Sequence, residues 1–243
     1  MAESTEGHIV KRYDGELSHL RSRVLEMGGL AADQVRRAAH ALDQQDVAAA
    51  REIVTRDHRI NALEIKTDEQ ITQLLARRQP MANDLRMIMA VSKSVTDLER
   101  IGDEAAKIAR MVVHIYGQDA SPPNEKLLLD IPKLEQLASE MLRRALNAFD
   151  RLDLGEALAV VQSDGRMDDE FQSALRRLTT YLLEDARNVG HTINVTLIMR
   201  ALERIGDHAK NIAEYVVYCL EGRDVRHQEL QGPLSDAVKS TSG

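Results

Sequence analysis

The chain contains the same six-residue stretch twice, Leu98-Glu99-Arg100-Ile101-Gly102-Asp103 and Leu202-Glu203-Arg204-Ile205-Gly206-Asp207. Each copy continues an apolar series. Leu98, Ile101, Ala105, Ile108 and Val112 step by three and four residues, as do Leu202, Ile205, Ala209, Ile212 and Val216. That spacing is the seam of a helix packed on other helices. At about 100° per residue, Glu99 and Asp103 share the flank of one seam, and Glu203 and Asp207 the flank of the other. Like charges one turn apart destabilise an isolated helix by about 0.2–0.5 kcal/mol, so a cation is expected beside each pair, either a metal ion or a basic side chain.

The repetition extends well beyond the motif. A shift of 107 aligns Arg36-Arg37-Ala38 with Arg143-Arg144-Ala145, Asp43 with Asp150, Asp46 with Asp153, Asp57 with Asp164 and Arg59 with Arg166, and a shift of 104 aligns the motifs themselves. Internal duplication of a three-helix unit is the simplest account, with three residues gained or lost before the third helix. The pattern predicts helices over 13–42, 47–78 and 82–116 in the first unit and over 125–149, 155–185 and 192–221 in the second. Gly28 and Gly29 lie inside the first helix, where each costs roughly 1 kcal/mol relative to Ala, so a close packing contact is expected there. Long helices with short turns pack antiparallel. The fold class is therefore all-α, two tandem antiparallel three-helix bundles over 1–118 and 125–224. A Pro-containing linker over 119–124 joins them, and a polar tail over 225–243 is expected to fray.

Composition agrees and excludes several functions. Hydrophobic residues make up 43% and charged residues 29%, with two Phe and no Trp, a profile that favours long helices over sheets. With 32 basic and 39 acidic residues the net charge is -7, which argues against free nucleic acid as a partner. Cys219 is the single cysteine; it sits in an apolar run and reads as a small buried hydrophobe in a reducing compartment. The N-terminal residues lack a signal-peptide core, and no apolar run reaches the ~18–20 residues a membrane span needs. A cytoplasmic location is expected. Phosphate-binding glycine loops, dinucleotide fingerprints and His-Glu-x-x-His motifs are absent from the sequence. The Glu-x-x-His pair of a di-iron oxidase occurs once, at Glu16 and His19, where such a site needs two.

The second helix of each unit adds a polar strip. Asp57, Asn61, Glu64 and Asp68 lie on one face beside Ile53, Ile60, Leu63 and Ile71, and Asp164 and Asp168 form the counterpart. If these strips face the motif helices, the donors Asp57, Asn61, Glu99 and Asp103 converge in one unit and Asp164, Asp168, Glu203 and Asp207 in the other. Clustered carboxylates without thiols suit divalent or trivalent cations such as Mg, Mn or Fe, with Zn as a further candidate. His208 and Asn211 are candidates for an added ligand. Acidic residues beside an apolar stripe also occur simply as a solvated boundary.

The doubled motif, Met27-Gly28-Gly29, Arg77-Arg78-Gln79-Pro80 before Asp84-Leu85-Arg86, and Asp207-His208-Ala209-Lys210-Asn211-Ile212-Ala213-Glu214 together resemble the PhoU family of bacterial phosphate-signalling regulators over about 13–224. The resemblance implies two three-helix bundles with pseudo-twofold symmetry and a regulator rather than an enzyme. Its acidic metal-binding motifs fall on Glu99 with Asp103 and on Glu203 with Asp207. The preceding-helix positions fall on Asp57 with Asn61 and on Asp164 with Asp168. Asn61 is an amide where its repeat partner is an acid, which weakens the first site. The partners implied are the ATPase of the phosphate ABC importer, a phosphate-sensing histidine kinase and a second copy of the chain, and the implied role is negative regulation of the phosphate-starvation regulon with restraint of uptake. A metal-dependent bundle enzyme or metal store is the competing expectation.

Overall fold

The computed structural model describes residues 2–117 and 122–223, and the side chains among these except those of 2–14 and 186. The expected tail over 225–243 and the first part of the expected linker, 119–121, lie outside the described residues. Seven α-helices occur among the described residues, with no strand: α1 (Ala2–Asp43), α2 (Val47–Arg56), α3 (His58–Arg77) and α4 (Ala82–Tyr116), then α5 (Ile131–Arg151), α6 (Leu154–Glu184) and α7 (Val189–Glu221). Two 3-10 turns, Glu125–Leu128 and Ala186–Asn188, precede α5 and α7. None of these helices is long and apolar enough to cross a membrane.

The duplication is visible in the backbone. Gln45 and Leu152, 107 residues apart, both take left-handed φ, at 54° and 52°. Beside them the amides of Asp46 and Asp153 donate to Ala41 O and Ala148 O at 2.8 and 3.0 Å. These bonds close the preceding helix with a 6→1 link that satisfies a terminal carbonyl. The same aspartates cap the next helices, accepting from Ala49 N at 2.9 Å and Glu156 N at 3.0 Å. A capping carboxylate of this kind contributes about 1 kcal/mol.

Burial follows the apolar seams read from the sequence. None of Leu98, Ile101, Ala105, Ile108, Val112, Leu202, Ile205, Ala209, Ile212 and Val216 exceeds 1% exposure. Full burial of a Leu or Ile side chain contributes about 1.5–3 kcal/mol, so these seams carry much of the core. In the first bundle α4 packs on α1, α2 and α3, and in the second α7 packs on α5 and α6. The bundles join through α4 and α7, with α1 against α5. Lys93 meets Tyr215, Asp97 meets His208 and Glu104 meets Arg204; as numbering rises along α4 it falls along α7, so the two motif helices are antiparallel.

Four expectations change. The helix predicted over 13–42 begins at Ala2. The helix predicted over 47–78 is interrupted at Asp57, where Ile60 N reaches Asp57 O at 3.0 Å while the Asn61 amide is 3.5 Å away. The coil tightens there, and the His58 ring Nδ1 takes the Thr55 carbonyl at 2.6 Å, a side chain inserted into the ladder. The helix predicted from 125 begins at Ile131, after the 3-10 turn, with Pro132 in its first turn, where a missing N–H is harmless. Gly28 does lie against Leu146 of α5, but Gly29 faces open space.

Candidate functional site

The motif glycines set how closely the strips can approach the motif helices. A Cβ on Gly102 would lie 2.8 Å from Ile60 Cδ1 and 3.3 Å from Asp57 Oδ1, and one on Gly206 would lie 3.2 Å from Met167 Cγ. Ile60 and Met167 are themselves repeat equivalents. Each glycine therefore gives the strip helix room to sit against the acidic flank of the motif helix.

In the second unit the approach gathers carboxylates from α6 and α7. One oxygen each from Asp168, Glu203 and Asp207 lies within 4.8 Å of the others. Asp168 is exposed, Asp207 half-buried and Glu203 buried, so the set opens to solvent on one side. Glu203 Oε1 accepts from Arg200 Nη1 at 2.7 Å, while Glu203 Oε2 is buried without a partner. The fourth expected donor, Asp164, is engaged differently: its Oδ2 is in contact with Lys210 Nζ, and its Oδ1 is buried without a partner.

The electrostatics reflect crowding of like charge in a partly desolvated place. Burial pushes the Glu203 carboxyl up to about 7, with Asp207 adding to the shift and Arg200 opposing it. Burial and then Asp164 and Asp168 raise Asp207, and burial followed by Asp164 raises Asp168. Burial and like charge both disfavour the ionised form. Burial works against the Lys210 ammonium, yet its bond to Asp164 and the carboxylates of Asp164, Glu214 and Asp207 outweigh that and raise it overall. Glu203 and Asp164, 7% and 9% exposed, are not a solvated boundary.

The first unit repeats the plan with different chemistry. Asp57 Oδ1 accepts from Gln34 Nε2 at 2.7 Å, and the same amide reaches Gly102 O at 3.1 Å. Asn61 Oδ1 is buried without a partner, and Arg100 Nε stands 3.7 Å from Glu99. Burial, then Asp103, Glu64 and Asp57, raise Glu99. Burial and Asp68 raise Glu64, with Asp103 adding to the shift. Glu64 thus belongs to this acidic field. Its place on the Asp57-Asn61-Glu64 strip was the signal that could have found it. Among the described residues, no three acidic or imidazole groups in this unit come as close together as Asp168, Glu203 and Asp207.

His208 and Asn211 do not join the second set. Both turn across the bundle interface to Asp97 on α4, His208 Nδ1 at 2.7 Å and Asn211 Nδ2 at 3.1 Å from the same Oδ1. Their places on α7 bring them to α4 rather than α6, which helical periodicity could not decide before the partner was known. Glu16 and His19 line a recess with Gln70, Gln73 and Arg77, none of which belongs to the eight strip and motif donors. Cys219 lies half-buried beside a recess with Arg21 and Arg86, its thiol pushed up by burial.

Comparison with known proteins covers both units. The family described as PhoU domain matches residues 24–112 and 131–216. The chain is 44% identical over 246 residues to a Pseudomonas putida protein named phosphate-specific transport system accessory protein PhoU homolog, covering 98% of this chain and 95% of that one. The crystal structure of PhoU from Pseudomonas aeruginosa superposes with a TM-score of 0.82 at 43% identity, covering 87% of this chain and all of that one. The phosphate transport system regulatory protein PhoU from Streptococcus pneumoniae superposes with a TM-score of 0.80 at 28% identity, covering 88% and 99%.

Proposed function

The chain belongs to the PhoU family, accessory and regulatory proteins of phosphate transport rather than enzymes, and from that premise we propose that it represses the phosphate-starvation regulon and restrains high-affinity phosphate uptake. In this reading it links the ATPase of the phosphate ABC importer to a phosphate-sensing histidine kinase at the cytoplasmic side of the membrane, and works as a homodimer. The observation that carries the reading is the match of the family over both halves of the chain, with the doubled motif at the centre of each.

The acidic strips are the means by which such a protein would take up cations. Asp168, Glu203 and Asp207, with Asp164 behind them, hold a divalent cation in the second unit, and Asp57, Asn61, Glu99 and Asp103 hold one in the first. The fit rests on oxygen donors whose burial and mutual repulsion raise the Glu203, Asp207, Asp168 and Glu99 carboxyls despite the nearby basic groups and on buried oxygens without partners, Glu203 Oε2 and Asn61 Oδ1. Mg, Mn, Fe or Zn would neutralise the strips and offer open positions to phosphate or to a partner's carboxylate.

Alkaline phosphatase output in phosphate-replete cells tests the regulatory role. Deletion of the gene should raise it and restoration of the wild-type gene should lower it; unchanged low output, with the protein expressed in the parent, overturns the reading. Crosslinking in the same cells should recover the importer ATPase or the kinase. For the strips, isothermal titration of Mn into the wild type and into a Glu203→Ala, Asp207→Ala variant should show one site fewer in the variant, and equal binding overturns the assignment of the second strip.

A further inference from the structure

The two units are internal controls for each other, and their acidic strips differ at several charged positions. Asp164 and Asp57 are repeat equivalents. Asp57 is held by a neutral amide, that of Gln34, at 2.7 Å. Asp164 has no such amide: Met141 stands at the equivalent of Gln34, and Lys210 Nζ contacts Asp164 Oδ2 instead. The equivalent of Lys210 in the first unit is Ala106, fully buried and uncharged. Conversely, the second strip carries Asp168 where the first carries Asn61. Phe171 and Leu175 stand where the first strip has Glu64 and Asp68, so the second strip's charge is gathered at Asp164 and Asp168, with Lys210 beside Asp164.

We propose that Lys210 is a tethered counter-cation that withdraws Asp164 from the metal-binding set, so that the second strip presents Asp168, Glu203 and Asp207 to a single divalent cation. The inference rests on the cation-binding reading of the strip. Geometry carries it: three oxygens lie within 4.8 Å of one another without Asp164, and an ammonium already occupies Asp164 Oδ2. A hard cation such as Mg or Mn on three carboxylates keeps water in its remaining positions, and the exposed side at Asp168 gives that water access. The Lys210 ammonium bonds Asp164 and none of the three ligand carboxylates. It is a positioning residue that lowers the negative charge of the set and limits the strip to one ion.

The test uses the full chain carrying Glu99→Gln and Asp103→Asn, which disables the first strip, and Mn titration by calorimetry with melting temperature as a second readout. In that background Lys210→Met should bind Mn at least about tenfold more tightly, the scale at which outer partners of a metal site act, and its melting temperature should rise more on Mn addition than that of the Lys210 chain. Lys210→Arg should bind like the Lys210 chain. Asp164→Asn with Lys210 retained should change Mn affinity by less than about threefold, since a withdrawn carboxylate contributes little. Unchanged or weaker Mn binding by a folded Lys210→Met chain overturns the role of Lys210 while the cation reading stands. Should Lys210→Met not fold, Asp164→Asn decides alone: a loss above about tenfold makes Asp164 a ligand and overturns the inference. If the background chain shows no Mn binding that Glu203→Gln and Asp207→Asn remove, the cation reading itself fails, and the inference with it.

Discussion

Arg204 of the second motif reaches across the bundle interface to Glu104, just after the first motif, at 3.0 Å. Glu104 is 2% exposed and also accepts from Lys107 at 2.7 Å. The motif arginine at 204 thus does not face its own acidic strip. It ties α7 to α4, as do Asp97 with His208 and Asn211 and Lys93 with Tyr215 along the same interface. Arg204→Ala leaves a buried carboxylate with one partner fewer and should destabilise the protein by about 1–3 kcal/mol in urea unfolding. Lys107→Ala should give a smaller loss, because its pair with Glu104 lies within α4 and ties no second helix.

Glycine 29 and glycine 102 should respond in opposite directions to the same substitution. Gly29→Ala meets nothing within 4 Å and gains helix propensity, so it should stabilise by about 0.5–1 kcal/mol. Gly102→Ala gains the same propensity but pushes on Ile60 and on the Asp57 carboxylate. Overpacking costs about 1–3 kcal/mol, so the net effect should be a loss, with disturbance of the first strip. Thermal melts of the two variants side by side check both.

The two capping aspartates offer a test of the duplication as independent modules. Asp46→Ala and Asp153→Ala should each cost about 1 kcal/mol. Their distant, separate caps share no bond, so the double variant should lose the sum to within about 0.5 kcal/mol by chemical denaturation.

The pH dependence has a defined sign. The Glu203 carboxyl is raised to about 7 from an ordinary 4.5, mainly by burial, so between these values the folded chain holds a proton that the unfolded chain has released. Stability without added cations should therefore fall as pH rises from about 4.5 to about 7 and level off above. Glu203→Gln should flatten that slope and make the cation-free protein more stable at pH 8, on the order of 1–3 kcal/mol. Mn should bind better above pH 7 than below it, since a ligand carboxylate must be ionised. Urea midpoints over pH 5–8 with and without Mn measure both.

The amino-acid sequence was enough to place the long helices, though not the break at Asp57 or the start of α5, and to determine the two seams, the doubling and the faces on which the acids lie, because a period of 3.6 residues is a local property that each stretch carries by itself. It also placed Glu203, Asp207 and Asp168 on flanks that converge if the strip faces the motif helix, and the structure supplies that facing. The tertiary structure alone decided which neighbour each polar group meets. Lys210 follows three residues after Asp207 and bonds Asp164 on another helix; Gln34, from α1, takes Asp57; His208 and Asn211 cross to Asp97; Glu64 joins the first acidic field. Those partners lie 23 to 114 residues away along the chain, and a helical period assigns a side chain to a face without saying which helix covers that face. Long side chains such as Lys and Gln settle on the nearest satisfying group, which only the packed bundle supplies.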